Sequence, residues 1–459
     1  MNLLTARRTL SAGIIAGASV VAFALPSAAS ALPGHCAGTS TEGAGSSFQL
    51  EAQEVYKVGF NKSKAGCIAG PKIGYRSVGS GAGYQEWNKE QKYGTVGFVG
   101  TDNTVNAAEK LAVENEVDSG KSSKLLTVPV VQGAEAIVMN LPANCVANSA
   151  VATGRLGITQ ATLTGIYEGT VTKWSEIVAD PNTGNELKST ESGTCNPETA
   201  ITPIVRKDSS GTTHIFKKFL FRNDAAALEN ECAPAASATL TWGELAEGTK
   251  DCTAGAESRN QAWPLHLGVA VVKHASTTTN TGVLQEVAAI PGSIGYADLA
   301  QARNAANGGF TGQSPQRFWA VLESSQKVKN EVVASRKFAD PSTNKDVGVT
   351  AESNCKKTEY TNGTAAFPPL VTDAWNEAAA KQFSKTYPLC GLTYVLVNSN
   401  YAAYASHGGN EKEAQTVSDY TAFITSKKGG GKEIKSHDYA ALPKELVEKG
   451  EEAVSLITD

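Results

Sequence analysis

The sequence predicts an α/β fold, and three observations lead to this prediction. Short β-branched or apolar runs alternate with amphipathic helices along the chain, as in layered α/β domains. The 459 residues suffice for two or three domains of about 150 residues each. A hydrophobic content of 41% with 44 glycines and 17 prolines is typical of a globular protein, which excludes disorder, collagen and a coiled coil.

The elements follow from the apolar pattern in chain order. Strands are predicted at residues 73–78, 95–99, 125–139, 201–205 and 392–397. Helices are predicted at residues 48–60, 213–221, 282–289 and 442–457. The run at 125–139 is longer than an ordinary strand of about five or six residues. A single segment that leaves one lobe and enters another would explain this length.

The charge balance excludes one class of function. The chain has 41 basic and 45 acidic side chains, so it lacks the basic surface of a nucleic-acid-binding protein. Any site for an anion must therefore be local.

The first 31 residues have the anatomy of a cleaved export signal. Arg7 and Arg8 precede an apolar stretch at 10–25, and small residues end at Ala31, after which we expect cleavage. The segment before Cys36 lacks the small residue that precedes the cysteine of a lipoprotein, so no lipid anchor is expected. The sequence thus predicts export to a periplasm, a cell-wall zone or the medium.

The cysteines agree with export. Eight cysteines, an even number, predict disulfides in an exported chain. No close CxxC pair is present, so a zinc site is not predicted. Many connectivities remain open, and pairing of neighbours is the simplest: Cys36 with Cys67, Cys145 with Cys195, Cys232 with Cys252, and Cys355 with Cys390.

Three loops at predicted strand-to-helix turns carry the chemical signal. They are GAGSSF at 43–48, VGSGAG at 78–83 and RKDSSGTT at 206–213. Each combines hydroxyl side chains with glycine where free backbone N–H groups and the positive helix end favour an anion. A serine or threonine at a helix start is also an ordinary N-cap, so each loop alone has two interpretations. Three such loops together favour an anion site.

Three charged residues sharpen this interpretation. Arg206 offers a fork of donors for an oxyanion, and Asp208 is placed to orient it, although the two also suit a purely structural ion pair. Asp102, in GFVGTDN, follows a predicted strand and can cap a turn through its own backbone. Beside a bound anion, Asp102 needs a ligand that donates a hydrogen. Monohydrogen phosphate does so and sulfate does not, so Asp102 is predicted to select the ligand.

These motifs carry a family resemblance. Besides the three loops, the chain has FVGTD, ITQATLTGIYEGTVTKW, PGSIGYADLA, YPLCGLTYVLV and YAALPKELVEKGEEA, in order from residue 43 to near the C terminus. With these motifs it resembles the PstS family, the phosphate-binding proteins of bacterial phosphate ABC transporters.

The resemblance implies a two-lobed periplasmic-binding-protein fold, the Venus flytrap, with discontinuous lobes joined by two crossover strands. One lobe would comprise residues 32–131 and 386–459, and the other residues 132–385. The implied protein is a monomeric receptor, not an enzyme, without a cofactor, that delivers inorganic phosphate to a membrane permease. Transferred residue by residue, the implied phosphate ligands are Ser47, the Phe48 N–H, Ser80, Asp102, Arg206, Ser210, the Gly211 N–H and Thr212, with Asp208 supporting Arg206.

Departures from the family pattern leave alternatives open. VVKHASTTTNTG at 271–282 replaces a glycine-rich stretch of the family, so no ligand role is predicted for residues 277–281. A secreted phosphatase remains a second hypothesis, with His214 as its one candidate acid or base. An adhesive surface protein with a vestigial cleft is a third. Substitution of Asp102 or Arg206 abolishes binding in the receptor hypothesis and has no effect in the adhesive one.

Overall fold

The N-terminal elements are parallel strand–helix units, as predicted for an α/β fold. In the computed structural model, β1 (Thr41–Gly45) pairs in parallel with both β2 (Ile73–Ser77) and β3 (Phe98–Thr101), which makes β1 the central strand of the three. Helix α1 (Leu50–Phe60) buries one face through Ala52, Tyr56 and Phe60. The elements of this segment are β1 (Thr41–Gly45), α1 (Leu50–Phe60), β2 (Ile73–Ser77), α2 (Ser80–Lys89), β3 (Phe98–Thr101) and α3 (Ala107–Glu114).

The structure describes residues 35–89, 92, 96–223, 263, 272–312, 316–328, 331–344, 350–381 and 386–458. The predicted signal segment and the predicted Cys232–Cys252 pair lie outside these residues. The three other predicted disulfides are confirmed: Cys36–Cys67, Cys145–Cys195 and Cys355–Cys390.

One long strand, β4 (Leu125–Asn140), confirms the prediction drawn from the apolar run. All of its residues are buried. Its first half pairs antiparallel with β16 (Cys390–Asn398), from Leu125 opposite Asn398 to Ala134 opposite Cys390. Its second half pairs antiparallel with β10 (Ser293–Asp298). The β-branched residues of β4 suit a strand that is covered on both faces.

The segment between β4 and β16 contains most of the remaining elements. Helix α6 (Gly211–Asn223) is the next element after β8 (Thr202–Val205), and β12 (Val321–Val328) and β13 (Glu331–Ala339) form an antiparallel hairpin. The elements are β5 (Cys145–Asn148), β6 (Gly157–Ile158), α4 (Gln160–Glu168), α5 (Trp174–Val178), β7 (Glu186–Ser189), β8 (Thr202–Val205), α6 (Gly211–Asn223), β9 (Lys273–His274), α7 (Thr279–Ala289), β10, α8 (Leu299–Arg303), β11 (Arg317–Trp319), β12 (Val321–Val328), β13 (Glu331–Ala339), β14 (Tyr360–Asn362) and β15 (Ala378–Ala380).

The chain after β16 is mainly helical. It contains α9 (Glu411–Thr425), α10 (Gly430–Glu433), β17 (Tyr439–Ala440) and α11 (Lys444–Leu456), with 3-10 turns at Tyr401–His407 and Ile434–Ser436. A further 3-10 turn at Ala305–Asn307 precedes β11. Within the described ranges, none of the helices combines the length and the apolar character needed to cross a lipid bilayer.

Among the described residues, ten strands form one sheet, and β4 connects its two parts. The order is β2-β1-β3-β16-β4-β10-β8-β9, and β11 and β17 also pair with β4. Leu126, Val128 and Val131 of β4 belong to one hydrophobic core, together with Phe48 and other residues near the N terminus. From Ala134 onwards, β4 belongs to a second core. The strand thus crosses from one core to the other, as in a two-lobed fold.

Candidate functional site

The three glycine-rich loops of the sequence meet in the structure. The first turn of α2 contacts the β8–α6 loop, because the Gly81 N–H donates to the Ser209 carbonyl at 3.3 Å. A β-carbon on Gly79 would lie 2.7 Å from Oδ2 of Asp208. A β-carbon on Gly211 would lie 2.6 Å from Oγ of Ser80. Both glycines are therefore required by close packing between segments that are far apart in sequence.

Arg206 is the cation of this site and is 1% exposed. Its Nε and Nη2 donate to Oδ1 and Oδ2 of Asp208 at 2.7 and 2.5 Å, which is a bidentate pair. Its Nη1 donates to Oγ of Ser47 at 3.2 Å and to Oδ1 of Asn280 at 2.8 Å. Asp208 orients the guanidinium, as predicted, and Arg206 joins the β1–α1 loop to the β8–α6 loop.

Asp102 follows β3 and is the buried acid of the site. Its carboxylate accepts hydrogen bonds from Oγ of Ser46 at 2.6 and 2.7 Å and from Oγ1 of Thr393 at 2.7 Å. Oγ of Ser80 lies 3.4 Å from Oδ2. Burial raises the pKa of Asp102 to about 6, and the hydrogen bonds and the charge of Arg206 oppose this rise. Asp102 is therefore mostly ionised at neutral pH.

The start of α6 contributes backbone and hydroxyl groups. Oγ of Ser210 accepts from the Thr213 N–H at 3.2 Å, which caps the helix. Oγ1 of Thr212 is buried and has no hydrogen-bond partner within the described part of the chain. Gly211 is the first helical residue, so its N–H belongs to the free set at a helix N terminus, which favours an anion.

Ser47 and Phe48 lie in the β1–α1 loop and are both buried. Oγ of Ser47 accepts from the Asn280 N–H at 3.2 Å as well as from Arg206. The Phe48 N–H, predicted to donate to a ligand, donates to Oγ of Ser46 at 3.0 Å. Ser46 competes for this N–H because it is only two residues away and its hydroxyl can form a tight local turn.

Four residues that the sequence did not indicate also belong to the site. Ser46 and Thr393 contact Asp102, Asn280 contacts Arg206, and the Gln301 side chain donates to the Ser47 carbonyl. Asn280 lies in the segment 277–281 for which no role was predicted. Its Nδ2 atom is buried and, like Oγ1 of Thr212, lacks a partner among the described residues.

The backbone at the start of α7 is strained beside this cluster. Thr279 has a φ of 70°, which is unfavourable for a β-branched residue. Its N–H donates to Oδ1 of Asp208 at 3.2 Å. Backbone strain of this kind is commonly found where binding residues must be held in position.

Two further groups bear on the alternative functions. His214, the candidate acid or base, is buried and borders the same cavity as Asp102, together with Lys218 and Phe219. A second group consists of His35, Asp419, Cys36 and Cys67, whose nitrogen, oxygen and sulfur atoms are of the types that bind metal ions. The two sulfurs form a disulfide, so they are not the thiolates that zinc requires.

Comparison with known proteins agrees with the geometry. The family model described as a PBP superfamily domain matches residues 33–428. The phosphate-binding protein PstS of Pasteurella multocida is 23% identical over 408 residues, which cover 89% of this chain and 87% of that protein. The phosphate-binding protein PstS 2 of Mycobacterium tuberculosis is 29% identical over 187 residues, 40% of this chain and 43% of that protein.

Solved structures show the same fold. The periplasmic phosphate-binding protein PfluDING, determined with bound phosphate, gives a TM-score of 0.54 at 20% identity and covers 89% of this chain and 92% of that chain. A phosphate-binding protein of Stenotrophomonas maltophilia gives a TM-score of 0.52 at 18% identity, with the same coverage of 89% and 92%. The two-lobed fold predicted from the motifs is confirmed, as is the resemblance to PstS proteins. The chain therefore belongs to the PBP superfamily.

Proposed function

We propose that this protein is an extracytoplasmic receptor that binds inorganic phosphate non-covalently at the cluster around Arg206 and Asp102. One observation carries the proposal. A buried arginine and a buried aspartate lie in one cluster with hydroxyl groups and a helix N terminus. Such a site provides donors for a divalent oxyanion and one acceptor for the hydrogen that only a protonated oxyanion supplies.

The proposed ligands are those inferred from the sequence. They are Ser47, the Phe48 N–H, Ser80, Asp102, Arg206, Ser210, the Gly211 N–H and Thr212, and Asp208 supports Arg206. The Thr212 hydroxyl, which has no partner in the part of the chain that the structure describes, supports this set, because buried polar atoms without a partner are rare in proteins. Binding at Phe48 requires its N–H to be shared with Ser46. Nδ2 of Asn280, which also lacks a hydrogen-bond partner among the described residues, is added to the set as a donor.

We propose lobes of residues 32–131 with 386–459, and of residues 132–385. The proposed ligands Ser47 and Asp102 belong to the first lobe and Arg206 and Thr212 to the second, so a ligand that contacts both favours the closed form. The closed, loaded monomer would then deliver phosphate to the membrane permease of an ABC importer. Export by the N-terminal signal segment is part of this proposal.

Calorimetric titration of the phosphate-stripped protein tests the proposal. We expect one phosphate per chain, with displacement by arsenate, which also carries a hydrogen, and no displacement by sulfate. A micromolar dissociation constant would correspond to about −8 kcal/mol. Absence of phosphate binding by the folded protein contradicts the proposal. Turnover of a chromogenic phosphate ester would instead favour a phosphatase, and neither binding nor turnover would favour an adhesive protein.

A further inference from the structure

A chain of buried hydrogen bonds runs from α9 to the carboxylate of Asp102. The Tyr420 hydroxyl donates to Oε1 of Gln53 at 2.7 Å, and Nε2 of Gln53 donates to Oε1 of Gln49 at 2.9 Å. Nε2 of Gln49 donates to Oγ1 of Thr393 at 2.5 Å. Oγ1 of Thr393 then donates to Oδ1 of Asp102 at 2.7 Å. We call Tyr420, Gln53, Gln49 and Thr393 the relay.

Each hydrogen bond within the relay is donated in the direction of Asp102, and Nε2 of Gln49 donates a second one to the Tyr394 carbonyl at 2.6 Å. Because the hydroxyl oxygen of Thr393 accepts a hydrogen bond from Gln49, the hydroxyl proton of Thr393 is available to donate to another acceptor. The Thr101 carbonyl lies at 3.1 Å and the Asp102 carboxylate at 2.7 Å, and a carboxylate is the stronger acceptor. All four relay side chains are at most 1% exposed, and aligned hydrogen bonds in a dry interior polarise and strengthen one another. The relay therefore favours the negatively charged form of Asp102.

Ser46 supplies a second arm. Its hydroxyl donates to both oxygens of Asp102 while accepting the Phe48 N–H. It is thus a polarised donor of the same kind as Thr393. Neither Ser46 nor any relay residue is among the ligands proposed above, so their role is to act through Asp102.

We propose that the relay and Ser46 determine the proton affinity of Asp102 and thereby the pH below which the site accepts a fully deprotonated oxyanion such as sulfate. This inference rests on the proposed function. An ionised Asp102 can only accept a hydrogen, so it rejects sulfate. A protonated Asp102 can donate, so it suits sulfate. Donors that favour the ionised form extend the rejection of sulfate to lower pH.

Other charged groups around Asp102 act on the same equilibrium. Arg206 lowers the pKa of Asp102, against the larger effect of burial. Burial and, after it, the charge of Asp102 raise the pKa of Glu135, Tyr75 and Tyr394. His214 and Lys218 border the cavity that Asp102 also lines. None of these groups is changed by a substitution of Thr393, so that substitution isolates the relay.

Direct titration with sulfate between pH 5 and pH 8 tests the proposal on Thr393→Val, which keeps the shape of the side chain and removes its donor. Sulfate itself does not titrate in this range. We expect the pH at which sulfate begins to bind to rise by about one unit, which is about a tenfold gain in sulfate affinity at a fixed pH above that point. Gln49→Met and Gln53→Met should give progressively smaller rises, because polarisation weakens with distance along the relay.

Thr127→Val is the matched control. Thr127 is buried on β4, and its hydroxyl makes no hydrogen bond within the described part of the chain. An equal shift in this variant, or no shift in Thr393→Val, would overturn the proposal. Ser46→Ala is the second variant, should Thr393→Val fail to fold, and it should shift the pH in the same direction.

A measurement without ligand separates this inference from the proposed function. The pH titration of the Asp102 carboxyl carbon by NMR, in the ligand-free protein, should show a midpoint about one unit higher in Thr393→Val than in the wild type. If the wild type binds no phosphate, the proposed function fails while this shift still supports the relay. If phosphate binds and the midpoint does not move, the relay is only structural and the inference fails.

Discussion

Nη1 of Arg206 lies 3.2 Å from Oγ of Ser47, although 159 positions separate the two residues in the sequence. The contact joins the loop after β1 to the loop after β8. It depends on the planar guanidinium, whose other two nitrogens, Nε and Nη2, both donate to the carboxylate of Asp208. The geometry of the arginine fork, and not only its charge, therefore belongs to the site.

Arg206→Lys should weaken phosphate binding by a factor of about 10 to 100, because the ammonium group keeps the charge and loses the fork. This corresponds to about one hydrogen bond to a charged group, roughly 1.5–3 kcal/mol. Calorimetric titration measures the effect. The matched control is Arg76→Lys, which changes an arginine paired with Glu42 and Glu86, and an equal loss there would contradict a specific role for Arg206.

Asp102→Asn should reduce phosphate affinity and allow sulfate to bind at neutral pH. The amide donates where the carboxylate could only accept, so it no longer requires a hydrogen on the ligand. Competition between phosphate and sulfate at pH 7.5 measures the change. An Asp102→Asn protein that still excludes sulfate would show that the selectivity arises elsewhere.

Glu413→Gln should stabilise the protein at pH 8 and leave its stability unchanged at pH 4. Burial raises the pKa of Glu413 to about 7, against a hydrogen bond from Thr41 that lowers it. An unfolded glutamate has a pKa of about 4.3, so the folded chain binds this proton more tightly. The resulting contribution, up to about 4 kcal/mol, is complete below about pH 4 and is lost as the pH rises through about 7.

Thermal unfolding across this pH range measures the Glu413 effect. Glu411→Gln is the matched control, because Glu411 lies exposed in the first turn of the same helix. A gain at pH 8 in both variants would point to the net charge of the protein and not to burial of Glu413.

Removal of the Cys145–Cys195 disulfide by a double substitution to alanine should lower the free energy of unfolding by about 2–4 kcal/mol. The bond closes a loop with a sequence separation of 50, and its loss frees the unfolded chain. Denaturant unfolding measures the change. Phosphate affinity should stay the same, since β5 and β7 pair with each other and contribute no residue to the cluster. A loss of affinity would contradict this separation.

The sequence indicated the part of the site that lies in short loops. The loops that contain Ser47, Ser80, Arg206 and Gly211 could be located because glycine and hydroxyl residues at strand-to-helix turns form a local pattern with a physical cause. The length of β4 was evident for a similar reason, since a long run of apolar and β-branched residues favours one extended, buried strand. Most predicted element bounds differ from those observed by only a few residues.

The remaining part of the site depends on tertiary contacts that no local pattern reports. Thr393 contacts Asp102 across 291 positions, and it lies in an apolar strand where a threonine is unremarkable. Asn280 lies in a polar stretch that departs from the family pattern. Ser46 could have been found, because two adjacent serines at one turn are more than a single cap requires.

Strand β4 gives the molecule a property that the two hydrophobic cores it joins would not suggest by themselves. Because consecutive residues of one continuous strand belong first to one core and then to the other, neither core can lose this strand without exposing apolar surface of the other. Heating should therefore produce a single cooperative unfolding transition instead of two. A destabilising substitution in either core should lower the melting temperature of the whole protein.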